Sequence, residues 1–476
     1  MKKLILILTA AIFAASCSDS LEDLNKNIKD PTAVSGESLF ASAQKQLADQ
    51  ITTPNVNLNN HRLWAQHWQE TTYPDESNYD QATRPIPDNH WREMYRDVLR
   101  DLKQASINID ATDNDITNEL KPNKLAIIEI LNVYTFSDLV ETYGNVPYSE
   151  ALDIENLTPK YDDALTIYKD LIVRLTAAIN SMDTGKGSFT DASDKVYGGD
   201  VALWKKFGNT LKLRMGITLA DVDGATAQAA VESAFASGVF TSNADDAGYL
   251  YTSPPNGNPL NDNLVLSNRN DYVAGKTMVD LMNGLEDPRR GAYFTEKDGA
   301  FVGGVIGDQT VYTDYSHVTP DILGSDYPGW LLQYAEAEFL LAEGAARGYG
   351  VGDAASHYNA GITASFDFWG VDGAVAYIAK PEVAYNPAAW KESIGTQGYL
   401  ALYNRTFASW LSLRRLDFPV LVKPLKAESG YPVRYPYPVS EINLNPDMYA
   451  EAAAAIGGDK TETRLFWDKN ANTWGF

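Results

Sequence analysis

The chain has 476 residues, with 63 acidic against 39 basic side chains, a formal net charge of −24 and a single cysteine. A polyanion of this size is repelled by nucleic acid and by anionic lipid headgroups, so neither is an expected partner. One cysteine excludes an internal disulfide, and the length is enough for one extensive core or two smaller ones.

The first element in chain order is an export signal. Lys2 and Lys3 form a positive start, Leu4 to Phe13 is an apolar run too short to span a bilayer, and Ala14, Ala15 and Ser16 supply small residues for cleavage. Residues 1–16 are therefore expected to be a signal peptide. The only cysteine, Cys17, sits at the junction, where a bacterial lipoprotein carries the thiol that takes a diacylglyceryl group in thioether linkage. Ala14 stands where leucine is usual in such signals. Cleavage removes two lysines and takes the net charge to −26, with 37 basic against 63 acidic residues. Nothing later reads as a transmembrane helix, so lipid at Cys17 is the expected anchor.

Amphipathic helices follow. Trp91, Tyr95, Val98, Leu102, Ala105 and Ile109 recur at three- and four-residue steps, as do Leu165, Tyr168, Leu171, Leu175, Ala178 and Met182. Lys124 to Gly144 is apolar nearly all round, as a central helix would be, with Gly144 as its stop. A further helix begins at Trp204. Leu331 to Phe366 reads as helix, Gly-rich turn, helix, with the length and spacing of a tetratricopeptide-type hairpin, and Gly398 to Leu416 continues the helical theme. Between these lie long polar stretches rich in aromatics, Asn and Pro: Asn55–Asn89, Asn243–Asn270 and Gly284–Gly329. Loops of this length in a compact protein usually carry function. Short pieces such as TVYTDY (310–315) are candidates for local strand pairing. The pattern predicts one mainly helical body decorated by loops.

Taken in order, LEDLN after Cys17, ETYGNVPYSEAL, PKYDDALTIYKDL, DKVYGGDVALWKKFGNTLKLR, SNRNDYVAGKTMVDLM, EDPRR, YAEAEFLLAEGAARG, TQGYLALYNRTFASWLSLRRLDFP, PVRYPYPVSE and FWD run nearly end to end. This series resembles the SusD/RagB family of nutrient-binding outer-membrane lipoproteins. Departures are small: Gly208 for Ala, Leu416–Asp417 for a Thr-Gly-like pair, and Phe466 for Trp. The resemblance implies an all-α fold of tetratricopeptide-like helix pairs in a single domain over 17–476, tethered at the cell surface. It also implies a TonB-dependent, SusC-type transporter as partner, a glycan as ligand (a peptide in some members), and binding without catalysis.

The residues themselves point the same way. Tyr (27) outnumbers Phe (16) and there are 10 Trp, so aromatic area comes mostly with a polar handle. A sugar offers apolar C–H faces and a rim of hydroxyls, which asks for flat rings beside planar polar groups. Trp68, Tyr73 and Tyr79, with Asn78 and Arg84, supply these in the first long loop; Tyr327 and Trp330 supply rings on a Pro-Gly turn. Trp64 and Trp68, four apart, also fit one buried helix face, and Trp64 is assigned to the core. A helical glycoside hydrolase would use a carboxyl pair such as Glu70 and Asp75 beside Trp68, though no spacing singles them out. The histidines His61, His67, His90, His317 and His357 make no metal-binding motif. GKT at Gly275–Thr277 lacks the glycine a phosphate loop needs, GYGVG at Gly348–Gly352 follows no strand, and Asp110–Glu119 lacks an EF-hand register. No cofactor is expected; a structural calcium elsewhere stays open.

Overall fold

The structure is a computed structural model that describes residues 34–469, 474 and 476; Cys17 and the expected signal peptide lie outside the described residues. From Gly36 to Phe476 the chain forms one unit. Helices pack largely with their sequence neighbours: Gly36–Thr52 on Arg100–Ala111, Asp115–Tyr143 on Ala164–Ser181, Val201–Thr218 on Gly224–Ser237, Tyr334–Ala346 on Ala354–Phe368, and Trp390–Ala401 on Thr406–Leu416.

Local chemistry starts these helices. The Asp163 carboxylate accepts the Thr166 amide N–H at 2.9 Å, Asp200 accepts those of Ala202 and Leu203, Asp223 that of Thr226, and Asp353 that of Ser356. Each satisfies amides that the first turn leaves unpaired. Ala164–Ser181 then buries Ile167, Tyr168, Leu171, Leu175, Ala178 and Ile179, the face expected from spacing, with Leu165 half-buried. Asp115–Tyr143 is central and ends at Gly144, where φ is +91°.

The boundaries depart from the sequence expectation in several places. The central helix starts at Asp115 and runs through Pro122, which the apolar pattern had placed outside it. The Trp91–Ile109 pattern lies on a continuous helical run: Ile86–Arg92, a π-helical stretch Glu93–Leu99, then Arg100–Ala111. Leu331 and Leu332 are strand, because Gly329–Leu332 pairs antiparallel with Ala247–Tyr249. TVYTDY makes a 3-10 turn over Tyr312–Asp314 and no strand. Asn404, at φ +62°, lies in the break between Trp390–Ala401 and Thr406–Leu416. Within Asp110–Glu119 only the exposed Thr112–Asn114 connects two helices; the flanking residues belong to the end of Arg100–Ala111 and the start of Asp115–Tyr143.

Charges inside the body are mostly paired. Glu336 bridges the Arg214 and Arg405 guanidiniums at 2.7 and 2.9 Å, joining two helices and the residue that precedes a third, and these two cations hold its carboxyl below the usual range despite burial. Asp287 holds Arg289 at 2.6 Å with both side chains wholly buried. The departures from the family pattern are packing solutions. A Cβ on Gly208 would lie 2.8 Å from Ile179 Cγ1 and 3.2 Å from Ile130 Cδ1, so branched neighbours fill the space an alanine would take. Asp417 adopts the left-handed conformation (φ +62°) after the Thr406–Leu416 helix, a task glycine does at less cost. Phe466 packs edge-on against Tyr168 at 5.6 Å.

Candidate ligand-binding cleft

Two strands from distant parts of the chain build the frame of one surface cleft. Trp68–Glu70 pairs antiparallel with Tyr272–Ala274, Trp68 opposite Ala274 and Glu70 opposite Tyr272. Next to the pair, a Cβ on Gly275 would sit 2.3 Å from the Gln66 carbonyl oxygen, so the glycine of GKT serves close packing. The pairing continues through Thr71, whose N–H donates to the Asp271 carbonyl at 2.9 Å and whose hydroxyl donates to that of Asn270 at 2.7 Å. The Tyr272 hydroxyl donates to the Pro54 carbonyl at 2.6 Å and so fixes a third segment, Pro54–Asn57.

These segments, with Arg84 and Asn263, enclose a cleft of about 370 Å³. Tyr73 stands at it 70% exposed, without a hydrogen bond or ring contact to any described residue. Arg84 lies on the same lining, ion-paired to Glu76, with one guanidinium N–H to the Asn57 Oδ1 at 3.3 Å. Arg269 and Asp271, 3.7 Å apart, are both well exposed. Asn55, Asn57 and Asn263 complete a set of flat polar groups beside one flat exposed ring.

At the inner wall, Glu70 is 5% exposed and its carboxylate accepts the amide and hydroxyl of Ser77, both at 2.9 Å. Burial, and then the neighbouring Glu76 carboxylate, push its pKa well above the ordinary value. Glu76 is also raised by burial, against the opposing pull of Arg84. The carboxyl pair considered from sequence is not assembled here: Asp75 does not line the cleft, and Glu70 is engaged by Ser77 and Glu76. Among the described residues no cluster of three or more His, Cys, Asp or Glu could hold a metal ion.

Of the residues expected at the ligand, Tyr73 and Arg84 are on the cleft, and the others are elsewhere. Trp68 is 1% exposed; its indole N–H donates to the Tyr403 hydroxyl at 3.0 Å, Arg62 lies 5.0 Å over its ring, and Tyr272 is 5.5 Å away. It is frame, as is Tyr79, buried in a left-handed turn (φ +68°) and accepting from Gln66 Nε2 at 3.0 Å. Asn78 is a buried clasp: its amide donates to the Pro74 and Gly307 carbonyls and accepts from the Lys426 N–H. Exposure was inferred for these three from loop-like composition, but the segment doubles back into the core as a short helix, strand and 3-10 turn. Tyr327 and Trp330 are half-buried and do not line the cleft. Trp330 sits in strand Gly329–Leu332 with Phe368 edge-on at 5.1 Å, and burial pushes the Tyr327 hydroxyl up to about 12. Trp64, assigned to the core, is wholly buried. Sequence reasoning did not select Asn55, Asn57, Asn263, Arg269 or Asp271. For the last three, the density of Asn over 261–271 was the available signal.

A family model described as starch-binding, associating with the outer membrane, matches residues 27–438, so the chain belongs to this SusD-like family. None of the curated proteins compared is a significant match. Among solved structures, a chitin-binding protein superposes with TM-score 0.80 at 25% identity, covering 91% of this chain and 100% of its own. A chitin-binding SusD homologue from Flavobacterium johnsoniae gives 0.79 at 26% identity over 91% and 99%, and a SusD homologue from Bacteroides uniformis gives 0.75 at 26% over the same shares. The mostly helical fold is the one these neighbours share. No helix among the described residues is long and apolar enough to cross a membrane.

Proposed function

We propose that this protein captures a glycan in the cleft around Tyr73 and passes it to a SusC-type, TonB-dependent transporter in the outer membrane, without cleaving it. The observation that carries the reading is the exposed Tyr73 ring beside Arg84 and three asparagines: a stacking platform for sugar C–H faces next to donors and acceptors for hydroxyls. Membership of a family described as starch-binding supports a glycan, and two relatives at 25–26% identity are described as chitin-binding. N-acetylglucosamine and glucose oligosaccharides are therefore the first ligands to try. In this reading Cys17 carries the lipid that holds the protein at the cell surface.

The test is calorimetric titration of the soluble chain from residue 18 onward with these oligosaccharides, with chromatography of the sugar afterwards. Binding of at least one, with the sugar recovered intact, is expected. Cleavage abolished by Glu70→Gln would replace the reading with a hydrolase. Binding of short peptides and of no oligosaccharide would replace the ligand class.

A further inference from the structure

Asparagine is followed by glycine at two places in the chain, Asn256–Gly257 and Asn283–Gly284, and the fold treats the two pairs differently. An asparagine side-chain amide is open to attack at Cγ by the backbone nitrogen of the next residue, and a glycine there puts no Cβ in the way. The attack needs a side chain free to turn toward that nitrogen. It also needs an N–H that no hydrogen bond holds in place.

At Asn283 the fold denies both. Its Oδ1 accepts from Arg290 Nη1 at 2.9 Å, and its Nδ2 donates to the Phe301 carbonyl at 3.0 Å. Both residues of this pair lie in helix Lys276–Gly284, whose ladder takes up the Gly284 N–H.

Asn256 is the opposite case. Residues 252–256 form an exposed turn, closed by the Asn256 N–H to the Ser253 carbonyl at 3.1 Å and the Thr252 N–H to the Asn256 carbonyl at 3.0 Å. The Asn256 side-chain amide makes no hydrogen bond to any described residue, and neither does the Gly257 N–H. Glycine is not needed at 257 for packing or conformation. A Cβ there would meet nothing nearer than Ser325 Cβ at 3.6 Å, and its φ lies outside the left-handed region.

We propose that Asn256 is a modification site, at which the folded protein deamidates spontaneously through a succinimide while Asn283 is protected. The Gly257 nitrogen gives its proton to solvent base and bonds to Asn256 Cγ, and the side-chain nitrogen leaves as ammonia. Water then opens the five-membered ring at either carbonyl, leaving aspartate or isoaspartate. One water is consumed and one ammonia released, and nothing is oxidised or reduced. The product carries an added negative charge. In the isoaspartate form the backbone also gains a methylene two residues before Asn258, whose N–H donates to the Ser325 carbonyl at 2.8 Å and whose amide donates to that of Tyr327 at 2.6 Å.

The test holds the soluble chain from residue 18 onward at mildly alkaline pH, once folded and once in guanidinium chloride, and follows both asparagines by peptide mapping and mass spectrometry. In the folded protein Asn256 should convert to a mixture of aspartate and isoaspartate, with Asn283 slower by about tenfold or more, because its reaction waits on local opening. In denaturant that difference should vanish. Gly257→Ala, which the space at 257 admits, should slow Asn256 by about tenfold or more and leave Asn283 unchanged. An Asn256 that stays intact in the folded protein while converting in denaturant would overturn the proposal. So would an Asn283 that keeps pace with Asn256 in the folded protein, or an Asn256 rate untouched by Gly257→Ala.

Discussion

Tyr73 and Trp68, five residues apart, should give opposite phenotypes when cut back to alanine. Trp68 is wholly enclosed, donates to Tyr403 and packs on Tyr272 and Arg62. Truncating a buried tryptophan costs about 3–5 kcal/mol. The unit spans about 440 residues; at roughly 2.1 cal/mol/K per residue, each kcal/mol moves Tm by about 1 °C, so Trp68→Ala should melt some 3–5 °C low. Tyr73 is 70% exposed and touches no described partner, so its loss should shift stability by less than about 0.5 kcal/mol, within half a degree. Its contribution is to the ligand: one lost stacking contact of about 1 kcal/mol is a fivefold weaker Kd. Scanning calorimetry and titration calorimetry on the same two variants decide the matter. A Trp68→Ala protein that melts like wild type, or a Tyr73→Ala protein that melts low and binds normally, would refute this division into frame and platform.

Glu70→Gln should abolish a pH dependence. The folded pKa of Glu70 lies above its unfolded value, so its contribution is fully present below about pH 4.5 and is lost as pH rises through the folded pKa. The variant should therefore gain Tm over wild type at pH 8 and lose that advantage at pH 4, as read by melts at both. Gly208→Ala sets a helix-propensity gain of about 1 kcal/mol against an overlap costing about 1–3 kcal/mol. It should be destabilised in chemical unfolding, with Ile179→Val restoring it in part at most, since that change removes the Cδ1 contact at 3.2 Å and keeps the Cγ1 contact at 2.8 Å. Cys17→Ala, expressed without the transporter, should leave the outer-membrane fraction and take up no labelled fatty acid; retention there would show that another element anchors the chain.

The helices were legible because their signals are local. Asp163 and Asp200 sit one residue before helices that they cap, and the apolar spacing of 165–182 marks the face that is buried. The strands were not, because three- and four-residue strands carry no periodicity and their partners are far away: Trp68–Glu70 meets Tyr272–Ala274 across some two hundred residues. That same pairing explains why the lining of the candidate cleft is only partly legible in the sequence. Tyr73 and Arg84 lie in the stretch that looked like a binding loop, whereas Arg269, Asp271 and Asn263 join them only through the strand pair. Trp68 and Tyr79 look exposed from sequence but are buried, for a related reason. Large aromatics in polar surroundings look available, and only the hydrogen bonds to Tyr403 and Gln66 reveal that their polar ends are already satisfied inside.

Because the two halves of the cleft are stitched by a buried strand pair, no fragment that lacks either strand contains it. A nascent or truncated polypeptide ending before Ala274 lacks one wall and the Tyr272 hydroxyl that holds the Pro54 segment. The cleft is thus a property of the folded chain and of neither half alone. The same stitching separates two kinds of change. Exposed side chains such as Tyr73 and Arg269 can be exchanged at little cost to folding, whereas Trp68 and Tyr272 cannot be altered without disturbing the body that carries them.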